Sequence, residues 1–181
     1  MDRTNRRRAL LGAAALSLLA VFFAVRTRAG DPAPSPAQAP KIESKFLRGL
    51  AGRWDTEASE GVIGHGKGRS TWQLTLGDTA IVEDYETKLT GADGVTRESG
   101  AHVVVREKGD GKTIEAWMFD DSGIPPKHFV GSYTDAGFEA KAETPEGVVR
   151  VTCEAKGADR IFRLHLGDTL LVVETYHPAA K

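Results

Sequence analysis

The phrase Leu-Gly-Asp-Thr occurs twice in this chain, each time between two runs of alternating apolar and polar residues. LGDTAIVEDYE runs from Leu76 to Glu86, and LGDTLLVVETYH runs from Leu166 to His177. The residues ahead of each copy, Trp72-Gln73-Leu74-Thr75-Leu76 and Phe162-Arg163-Leu164-His165-Leu166, share the pattern aromatic-x-Leu-x-Leu. Alternation with a period of two is the signature of a half-buried strand. Gly-Asp supplies a two-residue turn, with glycine free to take a positive φ. Each copy therefore predicts a β-hairpin.

The register follows from the turn. With Gly77-Asp78 as the loop, Leu76 faces Thr79, Leu74 faces Ile81 and Trp72 faces Glu83, and directly opposed residues share a face. Trp72, Leu74, Leu76, Ile81, Glu83 and Tyr85 then form the core face, which turns Glu83 inward. In the second hairpin Leu166 faces Thr169, Leu164 faces Leu171 and Phe162 faces Val173. An extra valine there leaves two readings open. Strict alternation places Glu174 and Tyr176 outside; a bulge at Val172-Val173 returns them inward as counterparts of Glu83 and Tyr85.

The remaining chain continues in strands. Gly52-Arg53-Trp54 opens one, and further runs cover about Ser99–Glu107, Thr113–Phe119, His128–Thr134, Gly137–Ala142 and Val148–Ala155, most of them separated by Gly or Asp clusters. Ile42, Phe46, Leu47 and Leu50 recur at helical spacing, so Lys41 to Leu50 is expected to form a short helix. Short strands without helical crossovers imply an antiparallel sandwich or barrel. A barrel is preferred, because closure removes exposed edges. The expected fold class is all-β: an antiparallel, calycin-like barrel of about ten strands with one short N-terminal helix, large enough for one small ligand.

The first 29 residues read as an export signal or membrane anchor. A basic start precedes an unbroken apolar run from Ala9 to Val25, the pattern of an export signal. Arg7-Arg8 followed by Ala9-Leu10-Leu11 resembles a twin-arginine signal, and Thr27-Arg28-Ala29 offers a cleavage site. An uncleaved anchor is the alternative; the run would span roughly 25 Å against a hydrocarbon core near 30 Å. Residues 30–40, GDPAPSPAQAP, alternate proline with small residues and form an extended linker. The barrel domain is expected over 41–177, in the periplasm or another extracytoplasmic space. Oligomeric state is not readable. A formal net charge of −1 argues against nucleic acid, which needs a concentrated basic face. Contact with a membrane is expected only through the N-terminal segment. Cys153, the single cysteine, lies inside an expected strand and is read as buried and inert.

Phe46-Leu47-x-x-Leu50-x-Gly52-x-Trp54 resembles the Gly-x-Trp opening of calycin-type barrels. Gly109-Asp110-Gly111-Lys112, Trp117-Met118-Phe119-Asp120-Asp121-Ser122-Gly123 and Gly131-Ser132-Tyr133-Thr134-Asp135 together resemble bacterial domain-of-unknown-function family 1579, over most of 41–177. That resemblance implies a small lipocalin-like barrel and carries over no catalytic residue. Haem barrels of the nitrobindin type open Gly-x-Trp-x-Gly-x-Gly, whereas Asp55, Thr56 and Glu57 follow Trp54 here. No cofactor is expected.

Gly61 to Gly68 approaches a phosphate-binding loop, but Gly68 stands where magnesium needs Ser or Thr, and a strand follows where a helix should. It is read as a hairpin loop. His65, His102, His128, His165 and His177 form no close ligand pair, so no metal site is expected. His128, beside the Pro125-Pro126 turn, is placed at a barrel mouth. Asp120 to Gly123 lacks the longer calcium pattern and is read as turn capping. An inward Glu83 flanked by Trp72 and Tyr85 needs a hydrogen bond or a proton. Three roles are open to it: an ion pair with Arg150, a ligand contact, or acid–base chemistry. The expected function is binding of a small, largely apolar ligand, with Trp72, Glu83, Tyr85, Trp117 and His128 as contacts. The alternatives are an enzyme using Glu83 as general acid or base, with His128, and a non-catalytic envelope interaction module.

Overall fold

A computed structural model describes residues 39–121 and 126–180. The expected export segment, nearly all of the linker, and Ser122 and Gly123 lie outside the described residues.

Ten strands form a closed antiparallel barrel: β1 (Gly52–Glu60), β2 (His65–Thr75), β3 (Ala80–Thr90), β4 (Thr96–Glu107), β5 (Thr113–Asp120), β6 (Lys127–Thr134), β7 (Gly137–Thr144), β8 (Gly147–Lys156), β9 (Asp159–Leu166) and β10 (Thr169–Pro178). Each strand pairs with its neighbours in sequence, and β1 pairs with β10 to close the ring. Alternation decides what faces inward. Trp54, Thr56 and Ala58 of β1 are buried between exposed neighbours, and Ile114 and Ala116 of β5 are buried with Met118 packed on the same cluster.

Both repeated phrases are hairpins. The first has the expected register, with Leu74 opposite Ile81 and Trp72 opposite Glu83. Its turn differs. β2 ends at Thr75, and Leu76, Gly77 and Asp78 all take positive φ (52°, 67° and 68°). Leu76, expected in the core, is 73% exposed. The physical reason is docking at this end of the barrel: the Asp78 carbonyl accepts from the Ile42 amide at 2.8 Å, and its carboxylate pairs with Arg48 at 3.0 Å. The second copy keeps the two-residue Gly167-Asp168 turn, with Leu166 opposite Thr169. A bulge then falls between Leu170 and Val172, one position ahead of the Val172-Val173 alternative. Phe162 therefore lies opposite Glu174, and Glu174 and Tyr176 point inward, 7% and 4% exposed.

The helix expected over Lys41–Leu50 contracts to one turn, α1 (Lys45–Arg48). Ser44 caps it by accepting from the Leu47 amide at 3.1 Å. The residues before it are held by Glu107, whose Oε1 accepts from the amides of Glu43 (3.1 Å) and Ser44 (2.8 Å). Tyr133 donates to the other oxygen at 2.9 Å. Ile42, Phe46, Leu47 and Leu50 are buried and plug this end of the barrel. Phe46 meets Phe138 edge-on at 6.1 Å, and the Arg160 guanidinium lies 5.6 Å from the Phe46 ring and 5.4 Å from that of Trp54. Such cation–π contacts hold a charge at an apolar seal.

The Gly61–Gly68 stretch is a turn only as far as Gly64, since His65 already belongs to β2. Gly68 is required by close approach: a Cβ there would lie 2.2 Å from the Glu86 carbonyl oxygen and 2.8 Å from the Thr56 hydroxyl. Small residues let β2 lie tightly against its neighbours at this point.

Candidate functional site

The barrel is hollow beyond the plug. A cavity of about 530 Å³ runs from the layer of Trp72 and Phe162 to the opposite end, bordered there by Ile63, Leu89 and Arg97. Val103, Val105, Met118, Phe129, Leu164 and Val172 give it a largely apolar wall. Strand alternation explains the wall, because every second residue of β4, β5, β6, β9 and β10 projects inward.

Glu83 and Tyr85 from β3 and Glu174 and Tyr176 from β10 interrupt it, and its lining also takes in Thr87, Arg97, Glu98, Ser99, Asp120, Asp121 and Arg163. The two Glu-x-Tyr pairs exchange partners. Tyr176 donates to Glu83 Oε1 at 3.2 Å, and Tyr85 donates to Glu174 Oε1 in a short hydrogen bond. Ser70, opposite Tyr85 on β2, donates to Glu83 Oε1 at 2.7 Å. The tyrosine rings stack at 6.5 Å with planes 18° apart, and Phe162 lies 4.2 Å from Tyr176. The indole of Trp72 stacks on Phe162 at 6.3 Å, and its Nε1 is buried without a hydrogen-bond partner among the described residues.

Burial governs the protonation of this cluster. It pushes the Glu83 carboxyl up from 4.5 to about 7, against the hydrogen bonds from Ser70 and Tyr176 and with added repulsion from Glu174. Glu174 is raised for the same first reason, opposed by hydrogen bonds from Tyr85 and Tyr176. Burial also pushes both tyrosine hydroxyls up, so they remain donors. Cys153 is buried, 1% exposed, with its thiol pushed well up by burial, which makes it a poor nucleophile.

Of the contacts expected from sequence, Trp72, Glu83 and Tyr85 meet at the cavity. Trp117 and His128 do not. Ile114, Ala116 and Met118 take the inward positions of β5, so Trp117 faces out and stacks on His128 of β6 at 5.1 Å. His128 Nε2 lies 3.6 Å from Glu115 Oε1 on that outer surface. Acid–base chemistry shared between Glu83 and His128 is thereby corrected: the barrel wall separates them. The Glu83–Arg150 pair is corrected as well. Val149, Val151 and Cys153 take the inward positions of β8, and Arg150 projects outward between Lys141 and His165. Glu174 and Tyr176 complete the cluster, and the sequence signal for them is the echo of Glu83-Asp-Tyr85 in Glu174-Thr-Tyr176. Ser70 and Glu107 carried no motif.

Compared with models of known protein families and with curated proteins, the chain matches none of them.

Proposed function

We propose that this chain is an exported cell-envelope binding protein whose barrel receives a small, largely apolar molecule. One observation carries it: a cavity of about 530 Å³, plugged at one end and walled mainly by apolar side chains. Sites for small molecules commonly measure about 300–1,000 Å³. Release of water from such a wall contributes roughly 25 cal/mol per Å² of apolar surface covered. Trp72, Glu83 and Tyr85 are the contacts carried forward from the sequence, joined by Phe162, Glu174 and Tyr176. Export rests on the basic start and the apolar run from Ala9 to Val25. Membership of the lipocalin-like family 1579 rests on the quoted motifs and belongs to the same proposal.

Native mass spectrometry of the full chain purified from its own host tests the binding. The expected result is a population heavier by one small organic molecule, released on unfolding. Protein that is always ligand-free, and whose melting temperature no neutral apolar molecule of fitting size raises, refutes it.

A further inference from the structure

We infer that the molecule held in the barrel carries a protonated amine, seated on Glu83 and Glu174, with its hydrocarbon part against the apolar wall. This rests on the pocket proposed above and adds the chemistry of the head group.

Glu83 and Glu174 face the apolar cavity, and no cation among the described residues pairs with either. Among the described basic side chains, Arg160 lies over Phe46 and Trp54, Arg163 pairs with Glu154 and Arg97 pairs with Asp93. None pairs with Glu83 or Glu174. Glu83 is only 5% exposed, yet among the described residues both of its hydrogen bonds end on Oε1 and none reaches Oε2. A carboxyl so buried gains most from a partner that brings both a proton donor and a positive charge. An ammonium group brings up to three donors and one charge. The wall beside the carboxyls favours the same chemistry, since Tyr85, Phe162 and Tyr176 line the cavity there and aromatic rings attract a cation. An anionic head seated at Glu83 and Glu174 would meet two acids, while the bases on the cavity lining, Arg97 and Arg163, are paired with Asp93 and Glu154. A neutral hydroxyl would bring a single donor and no charge.

Decylamine, decanol and decanoate share a chain length and differ only at the head. Titrated calorimetrically into the full chain at neutral pH, decylamine is expected to bind on the order of tenfold or more tighter than decanol, the gain of a charge-assisted hydrogen bond. Decanoate is expected to bind more weakly than decanol. Glu83→Gln and Glu174→Gln should each shrink the ratio of decylamine to decanol affinity by about threefold or more. Equal affinity for decylamine and decanol, or a preference for decanoate, overturns the inference and leaves the apolar pocket standing. Failure of all three to bind removes both. If either variant fails to fold, the wild-type ranking alone decides.

Discussion

Replacing Glu83 by glutamine should change how the stability of this barrel responds to pH. The carboxyl titrates near 4.5 when solvated and at about 7 in the folded chain, because burial penalises its charge. Below pH 4.5 both states carry the proton and its contribution to stability is fully present. Between 4.5 and 7 the unfolded chain releases the proton while the native chain keeps it, so stability falls as pH rises. Above 7 both are ionised and the loss is complete. A displacement of this size is worth about 3 kcal/mol at 1.36 kcal/mol for each tenfold change in affinity for the proton. Glutamine keeps a carbonyl oxygen for Ser70 and Tyr176 and has no charge to bury. Urea denaturation of wild type and Glu83→Gln at pH 5, 6, 7 and 8 reads the effect as a difference, which cancels the other carboxylates. The variant should gain on the wild type by roughly 2–3 kcal/mol across that range, equivalent to several degrees in melting temperature. Glu174→Gln should act in the same direction. Stability curves that run parallel, within about 0.5 kcal/mol of a constant offset, would refute the claim that this acid is buried without a cation.

Other substitutions probe the wall, the plug and the outside. Ala101→Phe places a ring in the cavity and should weaken decanol binding on the order of tenfold, by calorimetry, with stability changed by no more than about 1 kcal/mol, since it fills open space. Glu107→Ala removes two hydrogen bonds to the plug and one to Tyr133 of β6; a loss of about 3 kcal/mol in urea denaturation is expected, with faster amide exchange at Leu47. Trp117→Ala, on the outer face, should leave decanol affinity within about twofold.

Alternation made much of this barrel legible. The pairing of Trp72 with Glu83 follows from counting outward from Gly77, and Glu83 does lie inside. Where residue type displaced alternation, the reading failed. Trp117 looked like a pocket residue because it is aromatic, yet Ala116 and Met118 beside it already claim the interior. Arg150 looked like a partner for Glu83 because it is basic and sits among valines, two of which face inward in its place. Two features depended on atoms distant in sequence and had no local signal. Leu76 left the core because the Asp78 turn docks on Ile42 and Arg48. The helix started late because Glu107 takes the amides of Glu43 and Ser44. Glu174 turned inward because β10 carries its surplus residue near Leu171, and the position of a bulge is a property of the backbone ladder rather than of side-chain pattern.

Ring closure has a consequence for the order in which the molecule assembles. Every strand pairing but one joins neighbours along the chain; only β1 with β10 unites residues as remote as Trp54 and Pro178. Local hairpins close quickly, and remote pairings bear the larger loss of chain entropy. The meander is thus expected to form ahead of its seam, and the chamber is complete only when the seam zips, because Glu174 and Tyr176 arrive with the last strand. A guest held by both Glu-x-Tyr pairs would clasp β3 and β10 together across the seam, slowing its opening more than the fraying of any single hairpin.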